Sequence, residues 1–412
     1  MLSTNAGELR DVLSSQAPIG AAAVPLVNEV DIAVVGAGLG GSAAAVALGR
    51  AGHRVALIDR QAVCPPQFRV EKFGGEQADL FERLGLLSAI AAEATPFSTV
   101  VNIQGGKLID HTHTPYYAIR YQDLVRVVRD QLPDTVEFVV NEVVDIETGP
   151  VGQRVVLANG ATIRARLVVV ATGLGDALWD RIGITRRATF EKHSVSFGFD
   201  AVPAPGTRFA HRAVTYYGEG VADRIDYVTF FPMGDVMRAN LFTFLGEGDP
   251  WFRELRRNPK ATLLHAMPRL SDYLGDFEVV SPVQRWVMNL YEVDRHERDG
   301  VVVIGDAFRT SCPAAGIGVS RLLTDVERLC AVHAPRWLAS PGMGRDKIAE
   351  YYGDDVKQSS DVRALSLSRG RRSLTVDASL LWQARRYQHF ARRRMAEWFR
   401  ARRAAGRAGP ST

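Results

Sequence analysis

Cysteine is scarce in this chain, with three in 412 residues. Cys64, Cys312 and Cys330 form neither a Cys-x-x-Cys pair nor a Cys/His spacing, which excludes a disulfide framework and a zinc site and points to a reducing cytoplasm. No apolar run reaches the ~20 residues a membrane-spanning helix needs. Residues 1–29 hold Glu8, Arg10 and Asp11 but no basic start followed by an apolar block, so they read as a loosely ordered extension rather than a secretory signal. No internal repeat is found, and no recognised nucleic-acid module accompanies the arginines, so nucleic acid is not an expected partner. Glycine, by contrast, is plentiful at 37 residues.

The net charge of +4 hides an uneven distribution. From Arg369 to Arg407 twelve arginines face only Asp377 and Glu397, an excess of +10 that leaves the remainder at −6. The basic balance therefore belongs to the tail and not to the body. A length of 412 residues suits two intimately joined domains.

Residues 30–35, Val-Asp-Ile-Ala-Val-Val, are a short run of β-formers that ends at a glycine cluster. Ser42–Arg50 reads as a small-residue helix and His53–Ile58 as a second buried strand, together a βαβ unit of the expected ~30 residues. Helical spacing continues over Glu76–Leu87 and Asp123–Leu132, the latter stopped by Pro133. Strands follow at Val136–Val144 and Arg154–Leu157, then a hairpin turn at Asn159-Gly160 and the strand Thr162–Val170. From Thr189 to Phe244 the pattern is mostly extended, with a hairpin around Pro232-Met233-Gly234-Asp235. Residues 251–274 turn helical. Gly300–Ile304 is a last buried strand, running into a second glycine-rich turn and a helix over Val319–Cys330. The fold class is α/β: a Rossmann-like domain with a central parallel sheet, interrupted by a β-rich domain and followed by C-terminal helices. The expected bounds are 30–185 with 285–335 for the nucleotide domain, 186–284 for the inserted sheet and 336–412 for the helical tail.

The first glycine cluster, Gly36-Ala37-Gly38-Leu39-Gly40-Gly41, has the form of a pyrophosphate cradle. Gly36 permits the tight turn, Gly38 admits a phosphate to the backbone, and Gly41 lets the helix pack on the strand. The helix N-terminus offers unpaired N–H groups and partial positive charge. Asp59, 18 residues past Gly41 and followed by Arg60, ends the second strand where an acid accepts from an adenosine ribose. An acid there suits FAD or NAD rather than a 2′-phosphate. The second cluster is Gly305-Asp306-Ala307, followed by Cys312-Pro313-Ala314-Ala315-Gly316-Ile317-Gly318. A carboxylate at a strand end suits ribityl or ribose hydroxyls, and the loop's glycines can turn N–H groups toward the electron-rich end of an isoalloxazine.

With both motifs in place, about 270 residues apart, the chain resembles the para-hydroxybenzoate hydroxylase family of FAD-dependent monooxygenases. The resemblance rests on DIAVVGAGLGGSAAAVALGRAGHRVALIDR (31–60) and VVVIGDAFRTSCPAAGIGVSRLLTDVERL (301–329), and spans roughly residues 30–335. It implies that the first segment holds the adenosine diphosphate half of FAD, and that Gly305, Asp306, Pro313, Gly316, Ile317 and Gly318 lie along the ribityl and flavin. Arg69 falls where the family places an arginine near the phosphates. Tyr121 occupies a ribityl-contact register, with Arg120 beside it, and the choice between them stays open. One departure is Ala171-Thr172-Gly173, where most members have an Asp-Gly pair tied to FAD and NAD(P)H binding. NADH, NADPH or an external reductant are therefore all open. The Trp-x-Trp-x-Ile-Pro signature of the halogenase branch is absent from the sequence, which disfavours halogenation.

The reaction implied is reduction of FAD by NAD(P)H, addition of O2 to give a flavin hydroperoxide, and oxygen transfer to an aromatic or other electron-rich small molecule. Rivals are an FAD-dependent reductase or dehydrogenase on the same scaffold, and a catalytically idle flavin-binding or membrane-associated partner. No catalytic residue is assigned; Tyr116, Tyr117, Tyr216, Tyr217, His111, His113 and Arg238 are relay candidates. Phe197, Phe199, Tyr227, Phe230, Phe231, Met233, Phe242 and Phe244 furnish either core or an apolar wall for an aromatic or lipid-like substrate. In the tail, Ala384, Tyr387, Ala391, Met395 and Trp398 share one helical stripe, with Arg385, Arg386, Arg392, Arg393, Arg400 and Arg403 mainly opposite. Packing of that helix on its own protein with a solvated arginine face is preferred over peripheral contact with the inner membrane face.

Overall fold

The computed structural model describes residues 29–407 apart from Phe68 and Asp176. The expected extension over 1–29 thus lies, but for Glu29, outside the described residues. Among the described residues the strands form two sheets, of seven and nine strands.

In the first sheet Glu29–Val35 pairs in parallel with Val55–Asp59 on one side and Thr162–Val170 on the other, and Val136–Val140 extends it beyond Val55–Asp59. Ile32, Ala33, Val34, Leu57, Ile58 and Val168 to Val170 are all fully buried. Strands covered on both faces need continuous apolar runs rather than alternation, which is why these segments stood out in the sequence. The strand expected over Val136–Val144 is two: it breaks at Asn141, whose N–H donates to the Asp59 carbonyl (2.8 Å), and resumes as Val143–Glu147 with an antiparallel partner, Gln153–Leu157. One edge of Thr162–Val170 is shared. Its first half pairs antiparallel with Gln153–Leu157, and its Val168–Val170 end pairs in parallel with the late strand Val301–Val303.

The second sheet is mostly antiparallel, its one parallel pair being Val214–Tyr217 with Thr95–Gln104. The 186–284 bounds hold only part of it. Val70–Gly74, Thr95–Gln104 and Lys107–Arg120 join it from before, and Gln284–Asp294 from after. Long-range pairing leaves no local trace of which sheet a strand enters. The aromatic run divides by parity between the two faces. Phe197, Phe199 and Phe230 enter a core closed by the helices Trp251–Arg257, Pro259–Ala266 and Leu270–Leu274, each ring worth about 2 kcal/mol of burial. Phe231 and Met233 pack with Phe97 on the other face, and Tyr227, Phe242 and Phe244 meet Cys312 and Ala314 of the second glycine loop.

Two long helices, Asp355–Val376 and Leu380–Arg407, end the described residues; no described helix is long and apolar enough to cross a membrane. Asp354 caps the first, accepting from the N–H groups of Val356 and Lys357, both at 3.0 Å. The second departs from the expected orientation in part. Arg385, Arg392, Arg400 and Arg403 are exposed as expected, but Arg386 and Arg393 turn inward: Arg393 donates to Asp110 (2.7 and 2.8 Å) and to the Tyr217 hydroxyl (3.0 Å). Tyr387 (76% exposed), Met395 (54%) and Trp398 (52%) face outward. The surface under the helix presents a carboxylate, a phenol and carbonyls, so guanidinium groups are its best partners.

Burial raises the Asp110 pKa, but Arg393 and Asn102 outweigh it and hold the carboxyl below its ordinary value. Arg393→Leu is expected to lower stability by about 2 kcal/mol at pH 7. A carboxylate with a depressed folded pKa loses its contribution on protonation, so the deficit should shrink as pH falls through that value. Denaturant titrations at pH 7 and pH 3 measure both; an equal deficit at the two pH values would show that the ion pair is not its source.

Candidate functional site

The Glu29–Val35 strand ends at Gly36, and the helix Leu39–Arg50 starts three residues later. Gly36 has φ +98°, and a Cβ there would stand 2.7 Å from the Ala171 carbonyl oxygen. A Cβ on Gly41 would meet the Gly36 oxygen at 1.8 Å. The chain's own packing therefore demands both glycines. Gly38 is different: its φ of −69° suits any residue, and the nearest atom to a Cβ would be the Tyr121 hydroxyl at 3.2 Å. A side chain at Gly38 would project into open groove.

That groove is a cavity of about 470 Å³. Gly36, Gly38, Leu39, Gly40, Asp59, Arg60, Arg69, Tyr121, Gly305, Asp306 and Gly318 all line it, so the two distant motifs share one wall. Ala37 and Gly41 lie behind the surface. The Ala37 carbonyl accepts from Arg129 Nε (2.9 Å) and Ser42 Oγ (3.0 Å). Pro313, Gly316 and Ile317 are outside the wall, in the turn that leads to the helix Gly318–Glu327. That turn faces the second sheet, where the Tyr227 hydroxyl donates to the Ala314 carbonyl (3.1 Å).

The Asp59 carboxylate accepts from the Ala37 N–H (2.7 Å) and the Gln61 N–H (2.9 Å), bracing the glycine turn it neighbours. Between Arg120 and Tyr121 the geometry is unambiguous. Tyr121 lines the groove, its hydroxyl accepting from the Leu39 N–H (3.3 Å) with the Arg69 guanidinium 4.6 Å above its ring. Arg120 turns away, 3.8 Å from Asp200. Burial raises the Tyr121 pKa and keeps the phenol neutral beside the groove.

Several lining residues carried no usable signal in the sequence. Arg129, at the end of the helix Tyr121–Arg129, also donates to the Ala62 carbonyl (2.9 Å). Leu322 locks the two motifs together, since a Cβ on Gly40 or on Gly305 would come within 2.6 Å of its Cδ1. Trp286 reaches the wall from the second sheet, where it lies opposite Ser196.

The sheet face that bears Ser196 also carries Asn240, Arg238 and Asp200, by alternation along paired strands. Buried Arg238 donates to Asp200 (3.1 Å) and to Asn240 (3.2 Å). Lys72, half-buried on the edge strand, sits over the rings of Tyr116 (5.5 Å) and Phe231 (5.8 Å), with no hydrogen-bond or ion-pair partner among the described residues. Burial lowers its pKa to about 8. Most relay candidates are engaged elsewhere: Tyr216 with Glu219, His111 with Glu397, Tyr217 with Arg393, and Tyr117 stacked on Phe73.

A family model described as an FAD binding domain matches residues 29–334. The chain belongs to that family. Aklavinone 12-hydroxylase DnrF of Streptomyces peucetius is 26% identical over 340 residues, 72% of this chain and 66% of its own length. The chain thus spans about two thirds of the length of that relative. Among solved structures, p-nitrophenol 4-monooxygenase PnpA of Pseudomonas putida DLL-E4 superimposes with a TM-score of 0.70 at 17% identity, covering 88% of this chain and 94% of its own. HpxO of Klebsiella pneumoniae, complexed with FAD and uric acid, gives 0.64 at 18% identity, covering 87% and 92%. At such identities the likeness is one of fold.

FAD fits the groove's donor set. N-terminal amides of the helix Leu39–Arg50, with Arg69 and Arg129, suit a pyrophosphate; Asp59 suits the adenosine ribose and Asp306 the ribityl hydroxyls. Two substitutions separate fold from cofactor. Gly41→Val should destabilise the apoprotein by about 3 kcal/mol or more, since backbone must move. Gly38→Val should leave the apoprotein's melting temperature nearly unchanged yet purify without FAD. A yellow Gly38→Val protein with full flavin occupancy would contradict this placement.

Proposed function

We propose that this chain is an FAD-dependent monooxygenase that hydroxylates an aromatic or other electron-rich small molecule, with NAD(P)H as reductant. One observation carries the reading: a groove fitted to FAD meets, at Trp286, a sheet face that bears Arg238, Asn240 and Ser196. The names of the relatives, a hydroxylase and a monooxygenase, support it. In this reading residues 30–185 and 285–335 hold the cofactor, and the second sheet supplies the substrate wall.

Bound FAD supplies reducing equivalents and the activation of dioxygen, while the protein orients the substrate and excludes water. Arg238 and Asn240 offer donors to a polar substituent, and the Arg238–Asp200 pair fixes their direction. Phe231 and Tyr116 bound an apolar side of the same space. Lys72, with a pKa near neutrality, is placed to take a phenolic proton and so raise the ring's nucleophilicity. Oxygen insertion distinguishes this reading from a reductase on the same scaffold. Purified holoprotein should oxidise NADH or NADPH faster with a phenolic substrate and place label from 18O2 in the product. Turnover without label, equally fast with an artificial electron acceptor, would assign the reductase instead. In the same assay kcat should rise with pH through about 8, and Lys72→Met should flatten that limb and lower kcat about 100-fold. An unchanged pH profile in Lys72→Met would remove Lys72 from the reaction.

A second reading concerns the tail. We propose that its outward stripe, Leu380, Tyr387, Met395 and Trp398, rests on an anionic membrane surface, because exposed Arg385, Arg392 and Arg402 flank apolar groups that nothing among the described residues covers. Co-sedimentation with phosphatidylglycerol vesicles, but not with neutral phosphatidylcholine vesicles, is the expected result. Equal recovery in the supernatant with both would dismiss it.

A further inference from the structure

The family match ends at residue 334, yet buried charges from beyond it converge on the Gly305–Asp306 turn. Asp325 is fully buried and accepts the Gly305 N–H through Oδ2 (2.9 Å). Arg321, equally buried, donates to Asp306 Oδ1 (3.2 Å) and lies 3.7 Å from Asp325 and 3.6 Å from Asp361. Lys357, on the helix Asp355–Val376, closes the cluster. Its Nζ is 2.8 Å from Asp361, 3.2 Å from Asp325 and 4.0 Å above the Phe308 ring. One turn before that helix, the Tyr352 hydroxyl accepts the Val303 N–H (2.9 Å) at the end of the strand that delivers the turn.

Two cations thus face three carboxylates, and of the five only Asp306 reaches the groove. Burying such a set is costly, and apolar side chains of like volume would fill the space at less cost. What apolar groups cannot do is hold a carboxylate aimed. Arg321 engages Oδ1 of Asp306, while Oδ2 has no hydrogen-bond partner among the described residues and stays available on the groove side. Asp325 fixes the adjacent Gly305 backbone, and Lys357 with Asp361 holds Asp325 and Arg321 in place.

We propose that Lys357 and Asp361, on a helix beyond the residues the family model matches, are positioning residues of the FAD site. They set the Gly305–Asp306 turn through Asp325 and Arg321, and they fix the charge behind the bound cofactor. FAD binding alone is required for this, whether or not oxygen is inserted.

The charge logic gives opposite signs for the two residues, which a bracing role does not. Lys357→Met removes a cation, so the midpoint potential of bound FAD should fall, since added electron density is less well tolerated next to surplus carboxylate. Asp361→Asn should raise it. The double variant Lys357→Met/Asp361→Asn restores the net charge and should return the potential toward wild type. In parallel, apoprotein titrated with FAD should show affinity weakened about tenfold in Lys357→Met and largely recovered in Lys357→Arg. Should Lys357→Met fail to fold, Asp361→Asn and Lys357→Arg carry the test by themselves. A potential and an FAD affinity that stay at wild-type values in Asp361→Asn, while the melting temperature drops, would overturn the proposal and leave the cluster as a brace.

Discussion

Backbone lies against backbone where Gly36, Gly41 and Ala171 meet, and the rest of the site depends on that contact. A single methyl group at either glycine would force the first strand, its helix and the Thr162–Val170 strand apart. With the contact intact, the helix N-terminus points into the groove and the Ala171-Thr172-Gly173 run becomes part of its wall. The departure from an Asp-Gly pair at this run is thereby intelligible in part: Ala171 serves through its carbonyl and small volume. Leu322 extends the same close packing to the second motif, so both glycine motifs are held by one side chain.

What was legible in the sequence was what is locally determined. The glycine turn, the βαβ unit and the late Gly305–Asp306 strand end each announce themselves within a few residues, because steric demand and burial on both faces act at short range. The second sheet was only half visible. Thr95–Gln104 and Lys107–Arg120 belong to it through pairing with partners far along the chain, and strand propensity does not name a partner. Arg129, Lys72 and Lys357 were invisible for a related reason, each being an ordinary basic residue until the fold brings Ala37, Phe231 or Asp325 beside it.

The tail shows a different limit. Its amphipathic pattern is real, but a pattern says which residues share a face and not which face is covered. The ground beneath it supplied Asp110 and the Tyr217 hydroxyl, and Arg393 turned inward to meet them. Helix-facing rules assume an apolar underside, and here the underside mixes the Phe390 contact with polar groups. Charge in the body, at −6, and charge in the tail, at +10, are thus partly spent on each other.

The shared edge of Thr162–Val170 has a temporal consequence. Its Val168–Val170 end stays unpaired on that side until Val301–Val303 arrives, after the whole antiparallel sheet has been made. Asp306, Gly318 and Leu322 arrive with that strand, so the groove cannot close on a nucleotide before then. During synthesis the early βαβ unit therefore waits with only its own part of the groove wall, and assembly of the groove becomes a late event that follows closure of a very long loop. An intact groove is, in this chain, a report on whether its distant halves have met.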